Sequence, residues 1–229
     1  DHLDHYGNEE NIYKAFCQFI GNVVDGGKAV LCFDNAKIRR MAKETKAVVI
    51  SYAIDCTEAD YQARNIMFEK SRTVYDLYYH GNKLGQVELI VPGRHNVLNS
   101  LGALAAAFEL GIPFDKAVAS LELFTGAKRR FETKGQVNGV WIVDDYAHHP
   151  DEIEATLTAA RNYPHKTLWC VFQPHTYTRT KALMDKFAKA LTLADKVVLA
   201  KIYPARETDD RGISSDTLRE KKKKLGKEV

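Results

Sequence analysis

Residues that could carry out acid–base or phosphate chemistry are concentrated between Gly126 and Glu152. Three cations at residues 128–130 open what we interpret as an alternating strand, and a second strand ends in D-D-Y-A-H-H at residues 144–149. Ligands of open α/β sheets bind beyond the carboxyl ends of the strands. The polar cluster therefore sits in a strand-to-helix turn that faces outward, where a ligand could bind. A solvated loop beside a helix cap is an equally good interpretation of this segment taken alone.

Two further groups of polar residues could bind ligands. Asn96 and Asn99 are three residues apart on one face of a predicted helix that follows Gly93, and their amides could read a purine edge. Asn96 could equally be a simple helix N-cap. The D-H-L-D-H run at residues 1–5 could bind a divalent metal or form a polar loop that leads into a helix.

Two common nucleotide motifs do not occur in the sequence. The dinucleotide fingerprint G-x-G-x-x-G is absent, which removes the main support for a nicotinamide enzyme. Gly21 to Lys28 approaches a phosphate loop, but its glycine spacing is wrong and Ala29 stands where a hydroxyl is needed. We therefore expect any phosphate loop to precede residue 1.

The elements that must position these residues follow an α/β pattern. Apolar periodicity predicts a β-α-β arrangement with a parallel sheet, and then, between Tyr61 and Val91, an antiparallel hairpin. The predicted elements are helix 8–24, strand 28–33, helix 36–44, strand 47–53, hairpin strands from Thr73 to Val91, helix 95–110 and helix 114–124.

Thr125-Gly126 is the predicted hinge between two domains, residues 1–125 and 126–229. We expect the second domain to be a doubly wound α/β domain. Its predicted elements are two strands around Gly135 to Gly139, helix 150–162, strand 167–172, helix 180–193, strand 196–201 and helix 215–225.

Composition excludes several classes of partner. The net charge of +3 is mild, and no basic run is interleaved with aromatic residues, so we expect no nucleic acid. No apolar run is long enough to span a bilayer, and no leader is recognisable, so we expect a cytoplasmic protein. The four cysteines are widely spaced within apolar runs, which indicates buried, reduced thiols without a disulfide or zinc. The sequence does not indicate an oligomeric state.

The chain resembles the Mur ligases over essentially its whole length. Six pieces match in the family's order: D-H-L-D at 1–4, G-R-H-N-V-L-N-S-L-G-A at 93–103, R-R-F-E at 129–132, D-D-Y-A-H-H-P-D-E at 144–152, Q-P-H-T-Y-T-R-T at 173–180 and Y-P-A-R-E at 203–207. The second histidine of H-H-P and the Q-P-H-x-Y-x-R-T piece resemble the alanine-adding branch. The resemblance implies the later part of a central ATPase domain (1–125) and a truncated, Rossmann-like carboxyl-terminal domain (126–229).

The activity implied by this resemblance is an ATP- and magnesium-dependent ligation in peptidoglycan precursor synthesis. L-Alanine would be joined to the carboxylate of UDP-N-acetylmuramate through an acyl phosphate. Two alternatives stay open: a ligase that attaches recycled murein peptide to UDP-N-acetylmuramate, and a module that binds nucleotide without turnover. We expect the isolated chain to be inactive, because it contains no phosphate loop.

The resemblance also implies roles for individual residues. The metal ligand would be His2. The implied ATP-binding residues are His95, Asn96, Asn99, Arg130 and Asp145, with the asparagines at the adenine, Arg130 at the phosphates, and Asp145 at the ribose or ordering the Arg130 region. The implied substrate-binding residues are Tyr146, His148, His175 and Arg179. Arg130 and His148 would be the catalytic residues. Because neighbours on a strand point to opposite faces, we expect Arg129 to point away from the nucleotide. Thr176 departs from the pattern, since some relatives have arginine there.

Overall fold

The computed structural model describes residues 3–69, 72–208 and 211–225, without the side chains of Leu3 and Asp4. The chain splits into two compact units, Asp1–Thr125 and Gly126–Val229. None of the helices in the described ranges combines the length and the apolar character needed to cross a bilayer. The four cysteines, expected to be buried, are free thiols of intermediate exposure.

The first unit is built on a five-stranded sheet in the order β1-β2-β3-β4-β5. Strands β1, β2 and β3 are parallel, whereas β3–β4 and β4–β5 are antiparallel. The strands are β1 (Lys28–Cys32), β2 (Val48–Ala53), β3 (Tyr61–Glu69), β4 (Arg72–Tyr79) and β5 (Asn82–Leu89). The helices are α1 (Leu3–Tyr6), α2 (Glu9–Gly21), α3 (Ala36–Glu44), α4 (Arg94–Glu109) and α5 (Phe114–Glu122).

Local capping explains why α2 and α3 begin where the sequence predicts. The side chains of Asn8 and Asn35 accept hydrogen bonds from the backbone N–H groups of Asn11 and Lys37, each at 2.9 Å. The β4–β5 hairpin is also confirmed. Strand β3 was not predicted as a separate strand. It joins the parallel half of the sheet to the hairpin because it pairs with β2 on one side and β4 on the other.

Helix α4 covers one face of this sheet. Its buried residues Val97, Leu101 and Leu104 belong to the same apolar core as Tyr75 and Leu77 of β4. A side chain at Gly102 would place its Cβ 3.1 Å from the Tyr52 ring, so a larger residue here would require that ring to move by a few tenths of an ångström. The opposite face of β1 packs against α2 and α3 through a smaller cluster of Tyr13, Ile20, Ala29 and Met41.

The second unit contains two separate two-stranded sheets, an antiparallel pair β6–β7 and a parallel pair β8–β9. Its core lies around the parallel pair and includes Phe172, Phe187, Leu191, Val197 and Leu218. The strands are β6 (Glu132–Val137), β7 (Val140–Asp144), β8 (Trp169–Phe172) and β9 (Lys196–Leu199). The helices are α6 (Pro150–Arg161), α7 (Tyr177–Ala182), α8 (Met184–Ala190) and α9 (Ser215–Lys223), with a 3₁₀ turn at Leu191–Leu193.

Two sequence predictions for the second unit are wrong. Residues 128–131 form a turn rather than the head of a strand, with positive φ angles of 58° at Arg129 and 51° at Phe131. The helix predicted from Thr180 begins three residues earlier, at Tyr177, and is interrupted at Leu183, whose φ is −114°. Helix α6 begins at Pro150 as predicted.

Candidate active site

The predicted adenine-binding residues lie in the first two turns of α4. The N-cap position is Gly93, whose φ of 97° favours glycine, and it makes no side-chain capping bond. Asn96 therefore is not the N-cap. Its Nδ2 donates to the Pro92 carbonyl at 2.7 Å, and its Oδ1 accepts from Nδ2 of Asn99 at 3.4 Å. The two amides adjoin on one face of the helix, with His95 in the same first turn.

Sequence reasoning missed two aspartates that shape this end of the first unit. Asp34 follows β1, and its carboxylate accepts the N–H groups of residues 54–56 at 2.8, 2.8 and 2.9 Å. This holds the loop after β2. Asp55 of that loop pairs with Arg94 of α4, with Oδ1 2.6 Å from Nη2. The only signal for Asp34 in the sequence was its place after an apolar strand.

In the second unit, Arg130 lies on a turn that two carboxylates hold. Glu132 accepts the N–H of Arg129 at 2.7 Å, and Asp145 accepts the N–H of Phe131 at 2.8 Å. The second oxygen of Asp145 accepts the N–H of Ala147, also at 2.8 Å. Asp145 therefore joins the arginine turn to the loop after β7. Non-glycine residues with positive φ are strained, so such anchors are needed to keep this shape.

Glu152 connects Arg130 to the histidine loop and was not among the predicted site residues. It occupies the third position of α6 and accepts the N–H groups of His148 at 2.9 Å and His149 at 3.1 Å. Its Oε1 lies 3.7 Å from Nη1 of Arg130, and its Oε2 lies 3.5 Å from Nδ1 of His148. Burial alone would raise the pKa of Glu152, but these N–H groups and charges outweigh it, and the pKa is lowered.

The two histidines of H-H-P have different structural roles. His149 is the N-cap of α6, and its Nδ1 accepts from the N–H of Asp151 at 3.3 Å. Burial lowers the pKa of His149, which suits an imidazole that must stay neutral to accept. Nδ1 of His148 lies 2.9 Å from the Tyr146 carbonyl. A carbonyl can only accept, so this nitrogen carries the proton, and the basic lone pair of the neutral ring is on Nε2.

The predicted substrate-binding residues of the second unit form two contacting pairs, Tyr146 with His148 and Arg179 with His175. The rings of Tyr146 and His148 lie 5.2 Å apart. Nη1 of Arg179 donates to the His175 carbonyl at 2.9 Å and lies 3.3 Å from Nδ1 of that histidine. Burial lowers the pKa of His175, with further contributions from the charges of Arg179 and His148.

Arg129 contacts this group as well, contrary to the expectation that it would point away. Its guanidinium lies 4.5 Å from the centre of the Tyr146 ring, and its Nε is 3.9 Å from Oδ2 of Asp144. On a turn, unlike a strand, adjacent side chains need not point to opposite faces. Both arginines therefore lie near the histidine loop.

The remaining predicted residues are divided between the units. His95, Asn96 and Asn99 belong to the first unit, whereas Arg130 and Asp145 belong to the second. His2, the predicted metal ligand, lies outside the described residues. Within the part of the chain that the structure describes, no three His, Cys, Asp or Glu side chains are grouped so that they could hold a metal ion.

Comparison with known families explains this division. Residues 1–107 match the model of the Mur ligase middle domain, and residues 129–229 match that of the Mur ligase glutamate ligase domain. The chain belongs to the Mur ligase family. Within this Mur ligase chain, the asparagine pair lies in the middle-domain match, and the arginine turn and histidine loop lie in the second match.

Individual relatives agree with this assignment. The chain is 47% identical to a UDP-N-acetylmuramate–L-alanine ligase of Lachnospira eligens, covering 100% of this chain and 50% of the relative. A crystal structure of a UDP-N-acetylmuramate-alanine ligase from Thermotoga maritima matches with a TM-score of 0.76 and 29% identity, covering 100% of this chain and 47% of that one. A murein peptide ligase from Psychrobacter arcticus matches with a TM-score of 0.59 and 29% identity, covering 82% and 40%. The chain thus spans about half the length of the curated relatives it matches.

Proposed function

We propose that the protein carrying this chain is an ATP-dependent ligase that joins L-alanine to the carboxylate of UDP-N-acetylmuramate through an acyl phosphate. In this proposal, residues 1–125 are the later part of the central ATP-binding domain, and residues 126–229 belong to the carboxyl-terminal domain. The observation that carries it is the bridge from Arg130 through Glu152 to His148, with nitrogen–oxygen distances of 3.7 and 3.5 Å. Glu152 thus links Arg130, a cation that could bind phosphate, to the imidazole of His148.

Such a ligation requires neutralisation of a transferring phosphoryl group and orientation of an amine against an acyl phosphate. Arg130 supplies the planar, permanently charged fork that suits phosphate oxygens. Arg179 and Tyr146 are suited to bind carboxylate oxygens of the substrates. His175, whose pKa is lowered by burial and neighbouring charge, stays neutral near pH 7. Its Nδ1 lies 3.3 Å from the Arg179 guanidinium, which can only donate, so Nε2 carries the proton and can donate a hydrogen bond to a substrate oxygen.

The amides of Asn96 and Asn99 are the groups that would recognise the adenine of ATP. Each amide carries a donor and an acceptor, as a purine edge requires. The bond from Asn96 to the Pro92 carbonyl at 2.7 Å holds that side chain before a ligand arrives. Magnesium, when bound, would neutralise phosphate charge. Its expected ligand is His2, outside the described residues, and no step of this proposal depends on it.

A murein-peptide ligase is the second candidate, because a ligase of that kind from Psychrobacter arcticus is also 29% identical to this chain. The two functions differ in the amine that they accept. The purified full-length protein should release phosphate from ATP when both UDP-N-acetylmuramate and L-alanine are present. Release with a murein tripeptide but not with L-alanine would favour the second candidate, and release with neither would refute both.

A third candidate, binding of nucleotide without turnover, is tested on the 229-residue chain itself. The chain should bind ATP weakly, in a manner that Asn99→Ala impairs, and should not release phosphate. Phosphate release by the isolated chain above a no-enzyme control would show that its residues suffice for turnover and that a phosphate loop is not needed.

A further inference from the structure

The segment Tyr203–Glu207 has no role in the function proposed so far, yet it contacts the site at both of its ends. The backbone N–H of Tyr203 donates to the Pro174 carbonyl at 2.8 Å, and its ring stacks on that of His175 with centres 5.4 Å apart. At the other end, both carboxylate oxygens of Glu207 accept from the N–H of Thr178, at 3.1 and 3.3 Å. These contacts enclose the stretch that bears His175 and precedes Arg179.

Helix α7 depends on this carboxylate because it has no local cap. Its N-cap residue, Thr176, makes no side-chain capping bond. The helix has only six residues, too short to be stable without tertiary contacts. An anion near the first N–H groups of a helix satisfies unpaired donors and the positive helix end. Glu207 supplies that anion from 29 residues further along the chain.

The carboxylate is itself held in place by a tight turn. The N–H of Glu207 donates to the Pro204 carbonyl at 3.0 Å, and Ala205 between them has a positive φ of 53°. Burial would raise the pKa of Glu207, but hydrogen bonds from the Thr178 hydroxyl and N–H outweigh burial, and its pKa is lowered. The side chain is therefore charged at neutral pH.

We propose that Glu207 is a positioning residue for the part of the site that would bind L-alanine. Its carboxylate fixes the first turn of α7, and together with Tyr203 it sets the orientation of His175 and Arg179. This inference rests on the proposed function for the identity of the substrate. Glu207 does not touch the substrate in this proposal. It acts through the helix turn that presents Arg179 and through the ring pair that holds His175.

The structural part of the proposal is tested by NMR on the 229-residue chain with Glu207→Gln. The variant keeps the size of the side chain but removes its charge, so protection of the Thr178 amide against exchange should fall about tenfold or more. The titration midpoint of His175 should fall, because the lost carboxylate favoured the imidazolium over the opposing charges of Arg179 and His148. Glu154→Gln, which removes an exposed carboxylate on α6, is the matched control and should change neither value.

The functional part is tested by kinetics in the full-length protein. Glu207→Gln should raise the KM for L-alanine about tenfold or more while the KM for ATP stays within about twofold. Glu207→Asp keeps the charge at shorter reach and should recover part of the loss, and it replaces the glutamine variant if that variant does not fold. An unchanged Thr178 amide, or a lost amide protection with an unchanged KM for L-alanine, would overturn the proposal. Absence of alanine-dependent turnover in the wild type would instead refute the proposed function, while the NMR readouts would still decide whether Glu207 positions His175.

Discussion

Replacing Asp145 by asparagine should disconnect the Arg130 turn from the histidine loop. The carboxylate now accepts two backbone N–H groups, from Phe131 and Ala147, each at 2.8 Å. Asparagine keeps one acceptor oxygen and puts an NH₂ group against the other N–H, so one bond and the charge are lost. A hydrogen bond to a charged group contributes roughly 1.5–3 kcal/mol. Because the site is partly exposed, we expect a loss of unfolding free energy near the lower value, about 1–2 kcal/mol.

The same loss sets the expected effect on catalysis. If the turn holds Arg130 in its competent position through this bond, about 1–2 kcal/mol of bias toward that position disappears. The competent fraction, and with it kcat, should then fall roughly 5- to 30-fold. The KM for ATP should change little if Asp145 only orders the turn, and should rise if Asp145 also contacts the ribose. Steady-state kinetics of the full-length protein separates these two roles.

Hydrogen exchange and urea unfolding of the 229-residue chain supply the structural readout, with Asp144→Asn as the neighbouring control. Among the described residues, Asp144 makes long, exposed ion pairs, at 3.9 Å to Arg129 and 3.8 Å to Lys134, so the loss of its charge should cost less than about 0.5 kcal/mol. The reasoning fails if Asp145→Asn leaves the Phe131 amide as protected as in the wild type. It also fails if the Asp144 variant is destabilised as much.

Three further predictions concern other residues of the two units. Arg130→Lys should lower kcat about 100-fold because the phosphate-binding fork is lost, whereas Arg129→Lys should lose only a stacking contact of about 0.5–1 kcal/mol; equal losses would contradict this order. Burial lowers the pKa of His149 below its ordinary value of 6.5. Below about pH 6.5 the unfolded chain therefore binds more protons than the folded chain, so the free energy of unfolding should be highest above that pH and decline toward pH 5. Urea unfolding of His149→Asn, which keeps a capping side chain, should show a shallower decline, and an equal slope would exclude His149 as the source. Asp34→Asn should speed amide exchange at residues 54–56 and raise the KM for ATP several-fold; unchanged exchange would show that another contact holds this loop.

The elements that sequence predicted well are those whose boundaries depend on nearby residues. The side chains of Asn8 and Asn35 accept hydrogen bonds from N–H groups only two or three residues further along the chain, and both helices begin as predicted. The Pro150 start of α6 is equally local, since its capping box joins His149 and Glu152. Short-range hydrogen bonds of this kind can be read from a few consecutive residues.

The features that sequence did not predict depend on partners far along the chain. The arginine turn is held by Asp145, 14 residues after Phe131, and α7 is capped by Glu207, 29 residues after Thr178. Alternating residue types around the three cations suggested a strand, and nothing local indicated positive φ angles at Arg129 and Phe131. The motif match named Arg130, Asp145 and His148, which backbone and carboxylate contacts link in the second unit. It did not indicate that Glu152 and Tyr203 would contact residues of the predicted site.

The acidic and the basic residues of the second unit have different roles. Asp145, Glu152 and Glu207 each accept backbone N–H groups and thereby fix the loops of the site. Charge-assisted bonds to backbone donors spread the negative charge of these carboxylates into the peptide dipoles. In the proposed function, the arginines nearby supply the positive charge that binds phosphate and carboxylate groups. Neutralising an anchoring carboxylate should therefore lower both the stability of the chain and its turnover. Neutralising Arg130 should lower turnover with little loss of stability, because the exposed ion pair between Arg130 and Glu152 is long, at 3.7 Å.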